Sequence, residues 1–277
     1  MGISSRFSFS SRVLVLLVAG LLVAGALQAH DLYVKLVSYH TDPGSRVRVP
    51  ILNGTFSSSE NSITYDRVLD VSLVGPPGQG IVHTGTWDAS GDSTFVDVSV
   101  GGSGTYVFGV STASNLIELT AEEFNEYLEH DGVVDVLEDR RARGIDDQDA
   151  VERYSKHVKA LIQVGNRTVG EWGEELAYPA EVVPVSNPYA TALGDRFVFR
   201  VLLDGRTIPG QLVRAGGESP DGTVIPLREA RSNAEGLVEF VLDAPGKWFV
   251  GFIHMEETAE EGVDYESNWA TLTFEVR

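Results

Sequence analysis

The chain has six histidines and no cysteine, and this narrows the metal and nucleophile chemistry open to it. Thiolate metal sites and thiol nucleophiles are excluded, so any metal must be held by histidine, carboxylate, backbone or a terminal amine. His30 follows Ala26-Leu27-Gln28-Ala29. If the chain is cut after Ala29, His30 carries a free α-amine with an intrinsic pKa of about 8. That amine and the imidazole Nδ1 of the same residue can bind one ion together. A second histidine then gives three nitrogen ligands, a set that suits Cu(II) or Ni(II). His254 is the expected partner. It ends the strand-like "KWFVGFIHM", in which Trp248, Val250, Phe252 and His254 share one face by period two. Glu266, in "DYESNWATLTF", would serve as a carboxylate ligand or as an acceptor for an imidazole N–H. The expected metal residues are therefore His30, His254 and Glu266, and the expected ion is nickel, cobalt or copper. The competing reading makes His254 a hydrogen-bonded rim residue and Glu266 a turn residue.

The other histidines are weaker candidates. His83 sits among strand residues. His40 and His157 have polar neighbours and read as surface positions, and His130 ends an acidic helix, where the dipole favours an imidazolium. The sequence contains no HExxH, no G-x-S-x-G elbow, no P-loop and no dinucleotide fingerprint. The expectation is a non-enzyme without catalytic residues. An oxidase-like use of a copper-bound terminal histidine is a third reading, with no hint of a substrate.

The segment before His30 reads as a secretory signal. Arg6 and Arg12 precede a short apolar run at 13–23, and small residues follow it. The run is shorter than the roughly 20 residues of a membrane span. Cleavage after Ala26 fits the small-x-small rule, and cleavage after Ala29 competes with it. Removing residues 1–29 leaves 248 residues. It also takes away two Arg and no acid, so the formal charge goes from −19 to −21. Such a charge argues against nucleic acid or an anionic membrane as partner. The expected location is the periplasm or the exterior, with no membrane span after signal removal.

Residues 30–118 read as short strands separated by turns about ten residues apart, the pattern of a β-sandwich. At "TAEE", Thr120 and Glu123 form a capping box that starts a helix running to about 129. A second helix is expected at 133–143 with Gly144 as its stop. A third is expected from Asp146 or Asp147, with Val151, Tyr154 and Val158 on one face. Strand patterns return at 160–165 and, after Pro179, give about seven more strands. The expected fold is mainly β: two immunoglobulin-like or transthyretin-like sandwiches, 30–118 and 161–277, joined by a helical insertion or linker at 119–160.

Four segments occur in a recognisable order: "AHDLYVKL", "ERYSKHVKALIQVG", "VVPVSNPYA" with "GDRFVFRVLLDG", and "DYESNWATLTFEV". Together they resemble the periplasmic NikM-like family, a domain of unknown function whose members are often labelled nickel or cobalt uptake components. The resemblance spans nearly the whole mature chain. It implies metal handling beside a membrane transporter, and it favours the cut after Ala29. Nickel-uptake proteins of the NikM type are integral membrane proteins, whereas this chain shows no apolar span after the signal. The expectation is a soluble exported metal-binding protein and not the membrane component. The alternative is a non-catalytic structural or interaction protein.

Overall fold

The computed structural model describes residues 31–76, 80–82 (backbone only) and 86–277. The expected signal peptide, His30 and His83 lie outside the described residues. The chain is mainly β and forms three layers. The front sheet contains β1 (Asp31–Val34), β3 (Arg46–Gly54), β4 (Ser59–Asn61), β6 (Gly80–Val82), β7 (Asp88–Ser90) and β8 (Ser93–Val100). The central sheet contains β2 (His40–Thr41), β5 (Val68–Val74), β9 (Gly104–Thr112), β10 (Asn115–Leu119), β11 (Ala150–Val164), β15 (Leu212–Glu218), β16 (Val224–Arg231), β18 (Gly246–Glu257) and β19 (Tyr265–Val276). The rear sheet contains β12 (Ala180–Pro184), β13 (Arg196–Leu203), β14 (Arg206–Thr207) and β17 (Leu237–Val241). Among the described residues no helix is long and apolar enough to cross a membrane.

The central strand β11 separates two cores. Val158, Ala160, Ile162 and Val164 face the front sheet with Val34, Ile51 and Phe108, while Leu161 faces the rear sheet with Phe199, Trp248 and Phe274. This is the alternation of side chains along a strand, with both faces covered. β11 pairs antiparallel with β9 on one side and parallel with β19 on the other. Strands from both expected sandwiches therefore hydrogen-bond into one sheet.

The helical segment is shorter than the sequence pattern predicts. Helix α1 (Ala121–His130) carries the expected capping box at Thr120 and Glu123, and α2 (Val134–Arg143) ends on Gly144 at φ 67°, the left-handed stop that glycine supplies. The expected third helix is absent, because residues 150–160 belong to β11. Val151, Tyr154 and Val158 fit a helical face only by spacing. In the strand Val151 lies on the opposite face from the other two. The segment carries no apolar alternation to mark a strand, because several of its buried positions are the polar residues Glu152, Lys156, His157 and Lys159.

The helices pack on the same face of the central sheet as the front sheet does. Residues on one face of β19 show the arrangement. Tyr265 and Trp269 lie in the helical core, and Thr271 and Thr273 donate hydrogen bonds to the Leu32 and Val34 carbonyls of β1 at 3.1 and 2.5 Å.

Candidate functional site

Of the residues expected to bind metal, His254 and Glu266 lie on neighbouring strands, and no third ligand joins them among the described residues. His254 lies near the end of β18. Its Nδ1 is 2.9 Å from Gln211 Oε1 and its Nε2 is 3.1 Å from Glu256 Oε1. The Gln211 amide nitrogen donates to the Leu212 and Ile253 carbonyls, both at 3.1 Å, which fixes the oxygen toward the ring. Both imidazole nitrogens are thus occupied by acceptors, and an incoming metal would have to displace one of them. His254 lines a small hollow of about 180 Å³ with Asp135 and Met255. The Asp135 carboxylate there is held by both Nη atoms of Arg231. Glu266 is not a turn residue but an exposed member of β19, directly opposite Glu256 on β18 and Arg153 on β11. It shares a face with His254 one step along the sheet. No group of three His, Asp or Glu is arranged to hold a metal among the described residues. His30, the third expected ligand, lies outside them.

His157 is also not where its neighbours suggest. It is buried at 1% exposure, with Nδ1 2.9 Å from Ser111 Oγ and Nε2 3.1 Å from Ser155 Oγ. Burial pushes its pKa down to about 4, so it is a neutral core residue at physiological pH.

A cavity of about 580 Å³ lies between the front sheet and the helical pair, floored by the central sheet. Gly216 keeps the floor open, since a Cβ there would stand 3.0 Å from the Phe249 ring and 3.3 Å from Leu227. Tyr33 of β1, Phe56 of the β3–β4 turn and Phe249 of β18 form a ring cluster on one wall, with centroids 5.1–5.3 Å apart. On the helical side Tyr127 and Trp269 stack at 5.8 Å with planes 7° apart. These separations are typical of favourable aromatic pairs.

Carboxylates surround the rings. Asp31, Glu60, Glu123, Glu126 and Asp131 all line the cavity. Asp31 Oδ2 accepts from the Tyr33 hydroxyl at 2.6 Å, and Asp131 Oδ1 lies 2.7 Å from His130 Nδ1. The one arginine in the lining, Arg214, is engaged. Its Nη1 donates to the His130 carbonyl at 2.6 Å, and its Nε is 3.1 Å from Glu229. Burial raises the Asp31 pKa. Asp131 is pushed up to about 6, first by burial and then by the Asp31 charge. Sequence reading missed this site because its walls come from β1, the β3–β4 turn, β4, α1, β15, β16, β18 and β19. The one local signal was His130, noted only as the end of an acidic helix.

The raised Asp131 carboxyl has a defined consequence for stability. Its folded pKa of about 6 exceeds the ordinary 3.8, so the folded state binds more protons than the unfolded one between those values. The stabilisation from this proton is complete below about pH 4 and is lost as pH rises through about 6. Asp131→Asn removes the ionisation. Relative to the native protein, the variant should gain stability between pH 4.5 and 7.5, on the order of 1–3 kcal/mol. Urea unfolding at the two pH values measures this, and a gap independent of pH would refute it.

Three β layers with an open cavity beside the helical pair define a β-sandwich protein. The chain belongs to the family described as Domain of unknown function (DUF4198), whose model matches residues 27–256. That match establishes the family at this level and does not extend to nickel uptake. No curated protein matches the sequence. Among solved structures, the chain aligns with a crystal structure of a tetra-tandem repeat in the extending region of a large adhesion protein. The two are 11% identical, with 89% of this chain and 49% of that one covered and a TM-score of 0.21. The chain thus spans about half the length of that structure, and a likeness so distant bears on neither fold nor function.

Proposed function

We propose that the protein is an exported, non-enzymatic binding protein whose ligand occupies the cavity between β1, the β3–β4 turn and α1. The observation that carries this reading is the cavity itself. About 580 Å³ of space lined by six aromatic residues and a few polar groups is the usual form of a small-molecule site. Transition-metal binding in periplasmic uptake or homeostasis is the second reading, and one feature favours it at this cavity. His30 immediately precedes Asp31 in the sequence, and Asp31 lines the cavity together with His130 and Asp131. Asp31, His130 and Asp131 do not by themselves form a three-ligand group, so a metal reading at this cavity depends on the terminal residue supplying ligands.

Thermal unfolding of the exported mature protein, with a panel of small molecules and with Ni²⁺, Co²⁺ and Cu²⁺, tests both readings. A ligand that binds only the folded state raises the melting temperature. Cavity ligands should stabilise the native protein by several degrees and lose that effect in Leu227→Trp, which places bulk over Gly216. Metal ions should stabilise the native protein and lose the effect in His30→Ala. Ligands that stabilise the native protein and Leu227→Trp equally would move the site elsewhere. If no compound or ion has any effect, a structural or interaction role replaces both readings.

A further inference from the structure

We infer that the cavity selects a small organic cation, a molecule carrying one ammonium group on an apolar body. The inference rests on the cavity being the binding site and adds the charge class of its ligand. Three observations lead to it. Charge comes first: the lining carries five carboxylates against Arg214 and His130. The arginine is committed to the His130 carbonyl and Glu229, the imidazole to Asp131, and Glu123 to the Thr120 cap, with Glu60 and Glu126 as the rim acids. Glu126 is exposed on α1 and Glu60 is exposed on the opposite rim. Field lines from acids on both sides of a low-dielectric cleft concentrate cations and repel anions.

The second observation is the aromatic walls. Ring faces carry the negative end of the aromatic quadrupole, and an ammonium within about 6 Å of a ring centroid is attracted, most strongly when desolvated. This molecule already uses its rings in that way. Lys35 Nζ lies 4.8 Å from the Phe56 centroid, and Lys156 Nζ lies 4.7 Å from the Trp269 centroid. Phe249, a member of the three-ring cluster, and Tyr127 are further rings beside the cavity.

The third is the apolar remainder. Gly216, Val224, Ile225 and Leu227 give the floor and one side no hydrogen-bonding side chain. A bare metal ion or a highly polar cation such as a polyhydroxylated amine would leave that surface unused. An anion would meet the carboxylates with no free arginine to receive it.

Three probes sharing one apolar body separate charge from shape: phenethylamine, phenethyl alcohol and phenylacetate, titrated by calorimetry at pH 7.5 into the mature protein. The amine should bind at least tenfold more tightly than the alcohol, and phenylacetate should not bind. In Glu60→Gln/Glu126→Gln the amine should lose several-fold in affinity while the alcohol is unchanged. Phe249→Leu, which keeps apolar bulk but removes a ring face, should weaken the amine more than the alcohol. Equal binding of amine and alcohol, unaffected by either variant, would overturn the cation inference and leave the cavity reading standing. Preference for phenylacetate would likewise overturn the cation inference alone, and binding that survives Leu227→Trp would overturn both.

Discussion

Lys159→Met should destabilise the folded protein by about 3–5 kcal/mol, the usual cost of removing one partner from a buried ion pair. Lys159 lies on β11 and Glu181 on β12, and both side chains are 2% exposed with Nζ–Oε2 at 2.7 Å. The pair ties the central sheet to the rear sheet. Glu181 does more than neutralise the lysine, since Oε2 accepts from the Leu176 amide at 3.0 Å and Oε1 from the Tyr178 amide at 3.1 Å. Removing the ammonium strands a carboxylate that still cannot reach water. Burial pushes the Lys159 pKa down, and Glu181 pulls it back, so the two groups depend on one another. Lys159→Met/Glu181→Gln should therefore recover most of the loss, because glutamine keeps one acceptor for the strand-entry amides and carries no charge. Urea denaturation at pH 7.5 measures both. A single variant within 1 kcal/mol of the native protein, or a double variant no better than the single, would show that the pair does not work as a unit.

Trp248→Ala should cost a similar amount, about 3–5 kcal/mol, through a different mechanism. Trp248 on β18 is fully buried at 0% exposure in the core between the central and rear sheets. Its indole N–H donates to the Ala244 carbonyl at 3.0 Å, and the Arg228 guanidinium sits 5.1 Å from the ring. Alanine removes the whole ring from a site enclosed by two sheets. The backbones on either side are held by β-ladders and cannot close the void. Trp248→Phe keeps a ring and loses the hydrogen bond, and should cost roughly 1–2 kcal/mol. Comparable losses for Ala and Phe would mean that the hydrogen bond, and not the packed volume, supplies the stability.

The two variants mark the seam on which sequence reading divides. The capping box at Thr120–Glu123, the glycine stop at Gly144 and the shared face of Trp248, Val250 and Phe252 were all legible, because each is decided by residues within a few positions of one another. The mainly β character was legible for the same reason. The fate of 150–160 was not. "VERYSKHVK" has mixed charges that look like a solvated helix, yet Glu152, Lys156, His157 and Lys159 are all buried. Their partners lie far along the chain. Glu152 receives hydrogen bonds from Tyr127 and Ser267, Lys156 stands over Trp269, and Lys159 meets Glu181. Nothing local foretells such partners.

The cavity follows the same rule. The sequence by itself determined the mainly β character outside 150–160, where α1 and α2 start and stop, and that no thiol chemistry is available. Only the tertiary structure decided that Asp31 and Asp131, Tyr33 and Phe249, and Tyr127 and Trp269 surround one space, since each pair is joined by packing across at least 100 residues. Local capping and turn interactions are written in neighbouring residues. A site assembled by sheet register and layer packing exists only when the whole chain has closed around it.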